Sequence, residues 1–121
     1  MKRGETGKRG EELARRFLEE KGYRIITNNY RCPEGEVDII AQHKDCLVFI
    51  EVRSKTGKQF GSPEESVTTA KKKKLITTAL RYIQAQDNPP QQWRIDFVAV
   101  EMDKKGEPLR IELIENAVSE E

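Results

Sequence analysis

The chain holds one histidine, two cysteines and one tryptophan in 121 residues, and no apolar run in it is long enough to cross a bilayer. Each scarcity removes a class of function. Without about 18 consecutive apolar residues there is no transmembrane helix. Without an apolar stretch behind a basic start there is no secretory signal, so the expectation is a soluble, cytoplasmic protein with no membrane partner. Cys32 and Cys46 lack CxxC spacing and His43 is the only imidazole, which argues against zinc and for small reduced side chains. There is no repeat and no low-complexity linker. The length suits one domain, residues 1–121, around a single core.

What the chain has is charge, at 36% of residues, yet with a net value of only +1. The balance hides a segregation. Residues 1–16 carry +3, residues 53–81 carry +6 from eight Lys/Arg against Glu64 and Glu65, and residues 101–121 carry −4. Two basic segments and an acidic tail imply one positive face and a polyanionic partner.

The most informative stretch is GEVDIIAQHKDCLVFIEVRSK, residues 35–55. Residues 39–41 and 47–50 are β-branched or large and apolar, separated by His43-Lys44-Asp45, so they read as an antiparallel hairpin. Leu47, Phe49, Glu51, Arg53 and Lys55 then share one face, and Val48, Ile50, Val52 and Ser54 the other. Both faces begin apolar, and one turns ionic at Glu51. A carboxylate buried there needs compensation, or its pKa rises until it is neutral. With a four-residue loop over residues 43–46, Gln42 faces Leu47 and Asp38 faces Glu51. Opposed like charges repel. A divalent cation resolves the conflict, and Mg²⁺, held by carboxylates, waters and substrate phosphates, suits phosphodiester hydrolysis. The plainer reading is a half-exposed hairpin with solvated acids.

Around this centre, residues 1–10 read as a basic, glycine-rich arm whose Lys8 and Arg9 can touch phosphate. Residues 8–21 read as a helix with Leu13, Ala14, Phe17 and Leu18 at helical spacing, stopped by Gly22. Residues 23–30 read as a strand, with Asn28-Asn29 marking a bulge or bend, and residues 32–35 as a turn. After Ser54 a loop carries Lys58, and Ser62-Pro63-Glu64-Glu65 has the cap, proline and glutamate of a helix start. That second helix runs to just before Asn88. Lys71, Lys72, Lys73 and Lys74 sweep most of its circumference, so Lys71 and Lys74 fall near the apolar line and point towards the sheet or a cleft, if they are not simply snorkelling at the edge of the core. Residues 93–101 and 109–115 read as two more strands, and residues 116–121 as a frayed acidic end. The order is α, three strands, α, two strands, a mixed sheet flanked by helices.

This order resembles the restriction-endonuclease-like superfamily with its PD-(D/E)xK site, and within it the YraN-like family, over nearly the whole chain. The resemblance is carried by Gly10-Glu11-x-x-Ala14, Asn29-x-Arg31, Gly35-Glu36-Val37-Asp38-Ile39-Ile40-Ala41, Phe49-Ile50-Glu51-Val52-Arg53, Phe60-Gly61-x-Pro63 with Val67 and Lys71, and Arg94-x-Asp96. It implies an α/β fold with a restriction-endonuclease-like mixed sheet of about five strands and two main helices. It also implies that Asp38 and Glu51 bind Mg²⁺ or Mn²⁺, and that Glu11 looks like the helix-borne glutamate of Holliday-junction-resolvase relatives. Arg53 stands where the superfamily has its lysine, and Lys55, on the same face, or Lys71, from the helix, could replace it. The implied activity is metal-dependent endonucleolytic hydrolysis of DNA rather than RNA, selective for junctions or flaps, with a homodimer allowed. A nucleic-acid-binding module with an impaired nuclease site is the alternative, and a protein-interaction domain a third reading.

Overall fold

A computed structural model of the chain describes residues 3–57 and 63–118. Apolar and β-branched runs, continuous in β3 and β4 because both faces of these central strands are buried, build the strands β1 (Arg24–Cys32), β2 (Gly35–His43), β3 (Cys46–Thr56), β4 (Gln92–Met102) and β5 (Pro108–Val118). They lie side by side in chain order as one open sheet. The helices are α1 (Arg3–Glu20) before β1 and α2 (Thr69–Gln84) between β3 and β4, which gives the expected order αβββαββ. Because α2 is a crossover, β3 and β4 run parallel, whereas every other neighbouring pair is antiparallel.

Each helix covers one face. Val48 and Ile50 of β3 pack with Leu13, Ala14 and Leu18 of α1. Leu47 and Phe49 pack with Leu75 and Ala79 of α2, as the alternation along β3 requires. Phe49 is fully buried and meets Tyr82 and Trp93 edge-on at 5.8 and 6.0 Å. Burying such a side chain stabilises the fold by about 1.5–3 kcal/mol. Among the described residues no helix is long and apolar enough to cross a membrane.

Four local expectations change. The hairpin loop is two residues, Lys44 and Asp45, because His43 still pairs with Cys46 and Lys44 takes a φ of 56°. The register is nevertheless the one anticipated, with Gln42 opposite Leu47. The glycine-rich start is not a separate arm but the first turns of α1. Tertiary contacts override its poor propensity: Arg9 Nε donates to the Gly106 carbonyl at 3.1 Å and Gly10 is buried. Pro63–Ser66 is a 3₁₀ turn, closed by Ser66 Oγ on the Pro63 carbonyl at 2.6 Å, and α2 starts six residues later than expected. Its N-cap is Thr68, whose hydroxyl accepts from Lys71 N at 3.1 Å, while Ser62 lies outside the described residues. Of the expected frayed end, residues 116–118 belong to β5, and residues 119–121 lie outside the described residues.

One irregularity matters most. Val37 packs on the α2 side and Ile39 on the α1 side, although a regular strand would put both on one face. The bulge of the β1–β2 ladder lies at Ile26, not at Asn28-Asn29 as expected; the ladder keeps its register from Asn28 opposite Ile39 to Tyr30 opposite Val37, with Asn29 between them at a φ of 54°. The β2–β3 ladder stops at Ile39 and Ile50. The strand turns over at Asp38.

Candidate functional site

Where the β2–β3 ladder ends, a side chain takes over from the backbone. Asp38 Oδ2 accepts the Val52 N–H at 2.8 Å, filling the place of the missing β2 carbonyl. Asp38 therefore lies between the two faces and meets a carboxylate from each. Glu51, its register neighbour on the α2 face, is within reach of a shared proton, and so is Glu11 from α1.

Glu51 is the buried member, with its side chain 4% exposed. Two cations converge on its Oε2: Arg53 Nη2 at 3.0 Å, from the same face of β3, and Lys71 Nζ at 3.4 Å, from the first turn of α2. They do not fully offset the loss of water. Burial, and then the charge of Asp38, push the Glu51 carboxyl up to about 8, with Lys71 and Arg53 pulling the other way. Glu11 is raised in the same sense, first by burial and then by Asp38, against Arg15. Arg53 Nε is buried with no partner among the described residues, a donor left over beside the acids.

The other anticipated contacts divide. Lys55 faces Glu101 across the β3–β4 ladder, Nζ to Oε1 at 3.3 Å. Arg9 is engaged within the protein, with Glu12 at 2.9 Å besides Gly106. Lys8, Lys73 and Lys74 are exposed, Lys72 is half-buried, and Lys58 lies outside the described residues. The structure thus gathers Glu11, Asp38, Glu51, Arg53 and Lys71, and leaves Lys55 and Arg9 with partners of their own.

A hard cation suits the gathered donors. The oxygen donors, on Glu11, Asp38 and Glu51, are all carboxylates, and neither free cysteine, Cys32 nor Cys46, is among them. Among the described residues no three His, Cys, Asp or Glu side chains form a ready cage. The protein would supply the Asp38 and Glu51 carboxylates, and water and phosphate oxygens the remainder, which is how Mg²⁺ is usually held.

Sequence reasoning missed a second polar cluster on the α1 face. Asp96, fully buried, accepts from Arg94 Nε at 3.0 Å, Tyr23 Oη at 3.2 Å and the Asn116 N–H at 2.8 Å. Arg94 Nη2 also donates to Tyr23 Oη at 2.8 Å, and the Tyr23 ring stacks on His43 at 4.1 Å. Burial and Asp96 push the Tyr23 phenol up to about 12, so it stays a donor. This network ties Tyr23, just before β1, to β4 and β5, and its one signal in the sequence is the Arg94-x-Asp96 spacing. An open hollow lined by Cys46, Trp93, Arg94 and Asn116 adjoins it and shares no residue with the acid cluster.

The family model described as "Uncharacterised protein family UPF0102" matches residues 10–100, a span that includes Glu11, Asp38, Glu51, Arg53, Lys71 and Asp96. A UPF0102 protein of Dehalococcoides mccartyi is 50% identical over 98% of this chain and 97% of its own. UPF0102 proteins of Pelotomaculum thermopropionicum and Caldicellulosiruptor saccharolyticus are 41% and 42% identical, over 92% and 97% of this chain and 92% and 99% of theirs.

Proposed function

The chain belongs to the uncharacterised protein family UPF0102, and from the geometry of its acid cluster we propose that it is a Mg²⁺- or Mn²⁺-dependent endonuclease of the PD-(D/E)xK type that hydrolyses phosphodiester bonds of DNA. The observation that carries this reading is Glu51. It is a buried carboxylate beside a second one, Asp38, with two cations on the same oxygen. That arrangement is costly for stability alone and useful for binding a cation and a phosphate together.

Asp38 and Glu51 would hold the ion, which when bound polarises a phosphodiester oxygen. Arg53 is permanently charged, so its role is to hold phosphate charge, not to take a proton. Lys71 is the ammonium beside Glu51, placed to orient water or offset charge developing on phosphate. Glu11, its pKa raised by burial first and by Asp38 second, holds a proton at its carboxyl more readily than an ordinary glutamate. Lys72, Lys73, Lys74 and Lys8 would grip the nucleic-acid backbone and so position it without reading its sequence.

Arg53 at the customary lysine position favours one second reading, a nucleic-acid-binding module whose nuclease site is impaired. A cleavage panel decides: single strands, flaps and four-way junctions with Mg²⁺ or Mn²⁺, run beside Asp38→Ala and Glu51→Ala. Metal-dependent cutting that both substitutions abolish supports the enzyme. Salt-sensitive binding without cutting on any substrate would leave the binder.

A further inference from the structure

We propose that Gly10 is a positioning residue for the acid cluster: by letting the backbone of α1 lie against Ser54 of β3, it sets the depth at which Glu11 reaches Asp38. Three glycines punctuate the first turns of α1, where glycine is a poor helix former. Only one is crowded. A Cβ at Gly4 or Gly7 would meet nothing within 4 Å, whereas a Cβ at Gly10 would lie 1.7 Å from Ser54 Oγ and 2.7 Å from Ser54 Cβ. Rotating the hydroxyl would relieve the first contact. The second involves the root of the side chain, so helix and strand would have to part by about 0.7 Å to reach ordinary contact at 3.4 Å. One turn on, fully buried Ala14 continues the close approach.

The consequence for the acids follows from a short closed path. Ser54 and Val52 lie on one face of β3, two residues and roughly 6.6 Å apart. The Val52 N–H holds Asp38, Asp38 faces Glu11, and Glu11 is bonded to Gly10. Any widening at Gly10–Ser54 is therefore passed to the Glu11–Asp38 distance, with no loop in between to absorb it. Binding constellations tolerate about 0.5 Å of misplacement, so the shift is large enough to matter.

The positioning rests on the fold, and its effect on metal binding rests also on the nuclease reading; the test separates the two. Urea midpoints without metal are measured for the wild type, Glu11→Gln, Gly10→Ala and the double variant. With Gly10 present, Glu11→Gln removes repulsion from Asp38 and raises the midpoint. With Gly10→Ala that gain disappears, and Gly10→Ala/Ser54→Gly restores it. Binding of Mn²⁺ alone, by calorimetry, weakens about tenfold on Gly10→Ala when Glu11 is present, the scale of losing a ligand-orienting contact, and does not change in a Glu11→Gln background. A Glu11→Gln gain of equal size with and without Gly10→Ala overturns the proposal, and so does equal weakening of Mn²⁺ binding in both backgrounds. Should Gly10→Ala not fold, Ser54→Thr adds a methyl group at the same contact and enters the same cycle. Absence of Mn²⁺ binding by the wild type would overturn the nuclease reading, while the midpoints alone would still decide the role of Gly10.

Discussion

Replacing Glu51 with glutamine should stabilise the protein at alkaline pH and not at acid pH. In the folded chain the Glu51 carboxyl is raised from 4.5 to about 8, by burial first and by Asp38 second. A raised carboxyl contributes stability in its protonated form. That contribution is complete below 4.5, declines as pH rises and is exhausted above about 8. At about 1.4 kcal/mol per pH unit, the charged form above pH 8 costs at most about 5 kcal/mol relative to the neutral one. Glutamine avoids that cost but brings N–H donors to a place where Arg53 and Lys71 already donate. One unsatisfied buried donor costs about 1–3 kcal/mol, leaving a net gain of about 3 kcal/mol near pH 9 and a net loss of about 2 kcal/mol near pH 4.5. Urea unfolding followed by circular dichroism, without metal, measures both. Saturating Mn²⁺ should then narrow the gap by stabilising only the wild type. If Glu51→Gln destabilises by the same amount at both pH values, the carboxylate is a structural partner for Arg53 and Lys71, and the reasoning from its burial fails.

Four further outcomes are expected. Asp38→Asn keeps an oxygen for the Val52 N–H, so it should abolish Mn²⁺ binding by calorimetry while leaving the urea midpoint unchanged or higher; a marked loss of stability would make Asp38 structural. Neutralising Lys72, Lys73 and Lys74 should weaken DNA binding and flatten its salt dependence by about 0.9 in slope per lost phosphate contact, and an unchanged slope would return these lysines to a solvated face. Arg53→Lys should keep or raise cleavage, whereas Arg53→Ala should slow it by about a hundredfold to a thousandfold, or about 2.7–4 kcal/mol; cleavage acquired only by Arg53→Lys would identify the wild type as a binder. Arg9→Ala removes the hydrogen bond to Gly106 and should cost about 1 kcal/mol in urea unfolding, with little change in DNA affinity.

The pairing of Asp38 with Glu51 could be read from the chain because it depends only on local regularities. A polar turn between two β-branched runs makes a hairpin, a period of two assigns faces, and counting back from Gln42 opposite Leu47 brings the acids together. The same reading made the turn two residues too long without harm, since His43 opposite Cys46 preserves the register. It also foresaw that Glu51 needed compensation, because the cost of burying charge does not depend on the fold. Helix starts were less legible. Ser62-Pro63-Glu64-Glu65 carries the local start signal, yet Pro63–Ser66 forms a 3₁₀ turn and α2 is capped at Thr68.

Only the tertiary structure decided which distant groups reach the acids. Lys71 meets Glu51 because α2 crosses over the face that carries Leu47 and Phe49, and Glu11 meets Asp38 because α1 lies close on the other face at Gly10. The structure likewise paired Lys55 with Glu101 and tied Arg9 to Gly106, contacts between residues whose spacing along the chain predicts nothing. The turning-over of β2 at Asp38 belongs here too, since Asn29 could be read as a bend but not as the position that places one carboxylate between two faces. The sequence by itself determined the strands, the register of the β2–β3 hairpin and the acidic pair, because these follow from interactions among near neighbours along the chain. The packing of two helices on opposite faces of the sheet determined the charges around that pair, because such contacts are set by which buried surfaces fit together and not by any local period.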